Sequence, residues 1–157
     1  MQHRMKTHPL TEQQIKQLLQ RAPIGSLVTI NPDGTPYSTP IHFVYYDEAI
    51  FFHGLPKGKK LDNIGHDSRV GFSVYEMDKL LLDPTGKPCD TNTKYQSVII
   101  SGTAKLVDDM EKKSRVLRTI VEKYTPHLVN HEIPHNMAKG TAVIRIDVTE
   151  MTGKYYL

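Results

Sequence analysis

The chain has 157 residues, 38% hydrophobic and 24% charged, which is enough apolar material for one folded domain and too much for a disordered one. Two domains would each be too small to bury a good core, and no apolar run approaches the roughly 20 residues of a membrane-spanning helix. A net charge of +3, from 20 basic and 17 acidic residues, suits an anionic ligand and falls short of the broad basic face that nucleic acid demands.

Residues 1–10, MQHRMKTHPL, lack the apolar core of a secretory signal and are expected to be mobile. The lone cysteine, Cys89, has no internal disulfide partner, so the expected compartment is the cytoplasm. Thr11 and Gln14 have the spacing of a helix capping box, Ile15, Leu18 and Leu19 share one face, and Pro23 ends the helix. Residues 24–30 read as a strand, Asn31-Pro32-Asp33-Gly34 as a turn, and 35–46 as one long returning strand. Pro36 and Pro40 in that strand require an edge or a break, because each lacks a ladder donor. Asp47-Glu48 then turns into a strand over 49–53.

KGKKLDNI reads as a short polar helix, followed by a strand over 69–75. Residues 77–94 hold Pro84, Gly86 and Pro88 and are expected to form a long exposed loop, a kind that is uncommon unless functional. A strand over 95–107 leads to a helix opened by Asp108 and Asp109. Its apolar face is Met110, Leu117, Ile120, Val121 and Tyr124, with Lys112, Lys113, Arg115, Arg118 and Lys123 as a solvated outer face. Strands over 141–148 and 154–157 finish the chain. The fold class is therefore mainly β with flanking helices, in a barrel.

The segment most informative about function runs Phe51-Phe52-His53-Gly54-Leu55-Pro56-Lys57-Gly58-Lys59-Lys60. A strand gives way to a glycine-containing loop, and three lysines surround a helix start, where free N–H groups and the dipole favour an anion such as phosphate. The same residues also fit a plain solvated turn, and the spacing is not that of a Walker A loop. His53 titrates near neutrality and could move a proton or orient a substrate; a histidine that only packs at a strand end is the other reading. His131-Glu132-Ile133-Pro134-His135 fits the H-E-x-x-H pattern of zinc proteases. Pro134 breaks the helix that such a site needs, and no metal site is assigned.

The order of these segments resembles the FMN-binding split-barrel superfamily, the pyridoxamine-phosphate-oxidase-like proteins, and within it the branch of the nitroimidazole-resistance proteins. Carrying the resemblance across residues 11–150 are Ile24-Gly25-Ser26-Leu27-Val28-Thr29 with Asp33-Gly34, then 37–46, 51–63, Ser68-Arg69-Val70 and 97–104. It implies one domain over 1–157, an antiparallel Greek-key split β-barrel that binds FMN. It also implies that Tyr37, Ser38, Thr39, Pro40, Ile41 and His42 run along the isoalloxazine and ribityl, with Phe52, His53 and Gly54 touching the flavin. Gly58 and Lys59 would hold the phosphate, helped by Lys57 or Lys60, and Ser97 would approach the flavin across a dimer interface. Where the family often has an arginine beside that lysine, this chain has Gly58.

The activity so implied is that of a homodimeric oxidoreductase with His53 in the catalytic role. NAD(P)H would be a donor and a nitroaromatic a small-molecule acceptor, in ping-pong order. A flavin-storage module without turnover, or a haem- or deazaflavin-binding relative, stands as the alternative. Gly153-Lys154-Tyr155-Tyr156-Leu157 lacks the arginine- and histidine-bearing tail of the pyridoxamine phosphate oxidases themselves.

Overall fold

The computed structural model describes residues 6–156. Helix α1 (Glu12–Arg21) precedes β1 (Gly25–Ile30), β2 (Pro36–Ile41), β3 (Val44–Tyr46) and β4 (Ala49–Gly54). Then come α2 (Lys59–His66), β5 (Arg69–Leu81), β6 (Asn92–Leu106), α3 (Met110–Tyr124), α4 (His135–Gly140) and β7 (Ala142–Tyr156). Every pairing is antiparallel, in the order β2-β1-β5-β6-β7-β4-β3, with β4 returning beside β7 in Greek-key fashion.

Chain length forces this sheet to curl. Strands β2 and β3 are its opposite edges, yet only His42 and Phe43 separate Ile41 from Val44. Laid flat, the edges would stand roughly 29 Å apart, six spacings of about 4.8 Å. Three residue steps span at most about 11 Å. The edges must therefore meet at this crossover, and the sheet is a half-barrel nearly closed at one end.

Two cores follow from the curl. Leu18, Leu19, Leu27, Phe52, Phe72 and Ile144 fill the concave side. Val44, Phe51, Val116, Leu117, Ile120 and Val143 form a smaller core between the convex face and helices α3 and α4. Strand β4 reads as a continuous apolar run because it serves both, with Ile50 and Phe52 inward and Ala49 and Phe51 outward. The capping box forms as expected: Thr11 Oγ1 accepts the Gln14 N–H at 3.3 Å, and Gln14 Oε1 accepts the Thr11 N–H at 2.8 Å. Asp47 and Glu48 both take left-handed φ, 50° and 56°, which suits a two-residue hairpin turn.

Several elements differ from the sequence expectation. The long strand over 35–46 is two strands on opposite edges, and both prolines sit on edge strand β2, where missing donors cost nothing. The loop over 77–94 is a hairpin arm with only residues 82–91 in its turn. Met77 pairs with Tyr95 and Leu81 with Asn92, Asp78 bridges to Lys94 at 3.0 Å, and the Tyr75 and Tyr95 rings stack. The Pro and Gly signals mark the turn itself, where the Asp83 carboxylate accepts the Thr85 and Lys87 N–H groups.

The two terminal strands are one strand, β7, paired with β6 from Ile144 to Tyr156 apart from a bulge at Ser101/Gly102. Residues 1–5 lie outside the described residues. The rest of the segment expected to be mobile is held, with Leu10 buried and its N–H bonded to the Gly153 carbonyl at 3.1 Å. On α3, two lysines assigned to the solvated face point inward. Lys113 is buried and donates to the Lys139 carbonyl at 3.3 Å, and Lys123 is half-buried. Helix α4 begins at His135 with Pro134 as its N-cap, so His131 precedes the helix. Among the described residues, no helix is long and apolar enough to cross a membrane.

Candidate functional site

Helix α2 begins where β4 runs out. Its N-cap, Gly58, has φ 132°, a conformation that favours glycine, and it has no side-chain cap. As the first residues of the helix, Lys59 and Lys60 present N–H groups without intrahelical acceptors, and a Cβ built at Gly58 would meet nothing within 4 Å. The helix is aimed by one buried side chain. Asn63 Nδ2 donates to Thr29 Oγ1 and to Asn31 Oδ1, each at 3.0 Å, tying the first turns of α2 to β1 and its turn.

That anchor brings four sequence-predicted residues together. Lys59 Nζ lies 4.7 Å from the Tyr37 ring centroid on β2. A Cβ at Gly54 would be 3.8 Å from Lys60 Nζ, so the end of β4 adjoins the same cations. Asp33 in the β1–β2 turn is held below the usual carboxylate pKa by the Thr35 hydroxyl and N–H, with a smaller attraction from Lys59.

His53 projects from the convex face of β4, opposite to Phe52, whose fully buried ring points into the barrel. Desolvation at the strand end lowers the His53 pKa below the ordinary 6.5, and the nearby His42 and Lys60 lower it further. His42 sits in the β2–β3 crossover with its ring 4.8 Å from that of Tyr124. The run 37–42 does not present one surface: Ser38 and Pro40 are exposed on one face, while Tyr37, Thr39 and Ile41 turn to the other.

Ser97 stands apart, on the outer face of β6 opposite Tyr75 and Lys154. It is buried, and its hydroxyl has no hydrogen-bond partner among the described residues. Around it the outer face carries exposed Tyr75, Met77 and Ile99.

Three features escaped the sequence reading. Asn63 was readable in outline, as a polar residue phased with Ile64 on the packed side of a short helix. Lys123 and Tyr124, which grip the crossover, and the groove beside His53 were not. That groove, of about 450 Å³, runs between the end of β4 and α4 and is lined by His53, Leu55, Asn136, Met137 and Thr141.

The family model described as pyridoxamine 5′-phosphate oxidase matches residues 11–155. No curated protein sequence matches the chain. Among solved structures, one similar fold is a Bacteroides thetaiotaomicron protein assigned provisionally to 5-nitroimidazole antibiotic resistance. It has 22% identity and a TM-score of 0.79, over 93% of this chain and 85% of that one. The flavocytochrome Anf3 of Azotobacter vinelandii has 21% identity and a TM-score of 0.80, over 94% of this chain and 68% of that one. A Mycobacterium smegmatis protein that binds FAD and heme has 16% identity and a TM-score of 0.82, over 92% and 71%. At these identities the likeness establishes the split-barrel fold.

Proposed function

The chain belongs to the pyridoxamine 5′-phosphate oxidase family, and from that premise we propose that it is an FMN-dependent oxidoreductase passing two electrons to a small acceptor such as a nitroaromatic. The observation that carries the reading is the uncapped α2 N-terminus, with Gly58, Lys59 and Lys60 converging on β2 and the end of β4. A phosphate needs cations and free N–H groups, and the space beside Gly58 is open to one. The residues present fit the cofactor in this respect: Gly58, Lys59 and Lys60 would hold its phosphate, with Tyr37 and His53 toward the ring. Bound FMN supplies the hydride chemistry, and the chain supplies position and charge.

With a reduced nicotinamide as donor, the balance is R–NO2 + NAD(P)H + H+ → R–NO + NAD(P)+ + H2O. His53, with its lowered pKa, is suited to hand over one proton and take up another from solvent.

A second copy of the chain completes the site in this reading, docked on the outer face of β5 and β6. Exposed Tyr75, Met77 and Ile99 support such a contact, as does the unpartnered Ser97 hydroxyl, which a neighbouring ligand or backbone would satisfy.

The test is a titration of the purified chain with FMN, followed by reduction with NADPH and reoxidation with a nitro compound. Saturable binding with both half-reactions is the expected result. Flavin bound without turnover would leave a storage module, and no flavin uptake would end the proposal.

A further inference from the structure

The proposed flavin chemistry makes no use of Lys123, a half-buried lysine near the C-terminal end of α3. Its ammonium donates to the carbonyls of Phe43 and Leu19, two fully buried residues, at 3.0 and 3.2 Å. Among the described residues it has no carboxylate within 4 Å to hold its proton, and burial lowers its pKa from 10.5 to about 8. At pH 8 about half of these side chains are therefore free amine, against less than about 1% of a fully solvated lysine.

Lys123 also lines a groove of about 470 Å³ between three elements. Gln20 and Arg21 come from the end of α1, Val44 and Tyr45 from β3, and Thr119 and Glu122 from α3 itself. The Arg21 guanidinium is taken up by Glu76 and Gln96, and burial keeps the Tyr45 and Tyr124 phenols un-ionised to above 10. His42 of the crossover stacks on the Tyr124 ring, so Glu122 is the one charge of the groove left without a partner among the described residues. A neutral amine has two N–H bonds, one for each carbonyl, which leaves its lone pair to an electrophile.

We infer that Lys123 is an acylation site, taking a small acyl group from a thioester or an acyl phosphate that enters this groove. The amine nitrogen bonds to the acyl carbon, the C–S or C–O bond to the leaving group breaks, and the thiol or phosphate departs with the proton the amine gives up. Val44 and Tyr45 supply the wall for a short acyl chain. The amide keeps one N–H for two carbonyls, so modification takes a donor from the tie between α1 and the β2–β3 crossover.

The experiment treats the purified chain, with and without FMN, at pH 8 with limiting acetyl donor. One arm uses S-acetyl-N-acetylcysteamine, an uncharged thioester, and the other acetyl phosphate, so that the faster arm identifies the source. Peptide mass spectrometry follows acetylation of each lysine with time. Weaker basicity and partial burial offset much of the gain in free amine, and Lys123 is expected to react about fivefold faster than exposed Lys87 and Lys139, or better. In concentrated urea this preference should vanish. Gln20→Trp, which narrows the groove from α1, should slow Lys123 and leave Lys87 unchanged. Lys123 reacting no faster than the exposed lysines with either donor, a preference that survives unfolding, or a Lys123 rate unmoved by Gln20→Trp overturns the inference.

Discussion

The Tyr124 hydroxyl holds the backbone of Phe43 at both ends. It accepts the Phe43 N–H at 2.9 Å and lies 2.8 Å from the Phe43 carbonyl and 2.7 Å from that of Pro23, so its one proton has two acceptors in reach. Phe43 is one of the two residues that carry the chain from one sheet edge to the other, and neither strand ladder can satisfy its backbone. A helix C-terminus thus supplies the hydrogen bonds that close the barrel.

Tyr124→Phe keeps the ring and removes that oxygen. The buried Phe43 N–H then has no partner, and the expected loss is about 1–3 kcal/mol of unfolding free energy. Urea denaturation of the variant beside the parent chain measures it. A change below a few tenths of a kcal/mol would mean that water replaces the hydroxyl without penalty.

Lys123, next in sequence, reaches the same place with a charge. Its ammonium donates to the Phe43 and Leu19 carbonyls at 3.0 and 3.2 Å and sits 4.0 Å from the Phe43 ring centroid. Burial lowers its pKa from 10.5 to about 8. The unfolded chain therefore binds more protons between these values, and stability should rise as pH climbs from about 8 towards 10. Tyr45 and Tyr124, whose phenols burial pushes above 10, oppose this only when the unfolded tyrosines begin to ionise. Thermal melts across this range should show the rise in the parent chain and a flat profile in Lys123→Met.

These two residues also mark where the sequence was legible and where it was not. Local chemistry was readable: the Thr11 capping box, the 31–34 turn, the basic start of α2 and the histidine ending β4 all form at or near the expected positions. What failed to show was long-range. Helical phasing puts Lys123 beside Tyr124 whichever way the helix faces, and only the crossover at Phe43 gives a lysine reason to turn inward. The 77–94 arm was misread for a similar reason. Its strands have no apolar alternation to declare them and are held by cross-strand partners such as Asp78 and Lys94.

Asn63 should matter to both stability and binding. Asn63→Ala removes two side-chain hydrogen bonds and leaves the Thr29 hydroxyl buried, at an expected cost of about 1–3 kcal/mol. Because the same bonds aim the α2 N-terminus, FMN affinity should fall as well, even though Asn63 itself is buried away from the cations. Parallel denaturation and FMN titration check the pair. Lost stability with intact affinity would show that the phosphate does not depend on α2.

Lys59→Ala separates charge from scaffold, since the side chain is exposed and its ring contact with Tyr37 is peripheral to the fold. FMN binding should weaken by about 1.5–3 kcal/mol, the range of a charged hydrogen bond, with the melting temperature nearly unchanged. Unchanged affinity would place the phosphate elsewhere. Riboflavin, which lacks the phosphate, should bind parent and variant alike.

His53 is the residue on which the catalytic half of the reading depends. Its pKa is lowered by desolvation first, then by His42 and Lys60, so protonating the folded chain's imidazole takes a lower pH than an ordinary histidine needs. As a proton donor it should make turnover fall as pH rises through that lowered value. His53→Gln should abolish this limb of the profile and impair turnover more than FMN binding. Stability gives an independent reading of the same group. The unfolded chain takes up the proton first, so stability rises with pH between the folded pKa and 6.5, and the glutamine variant should lose that slope. A variant that loses the stability slope yet keeps the full pH–rate profile would assign His53 to packing at a strand end and move the proton chemistry to another group.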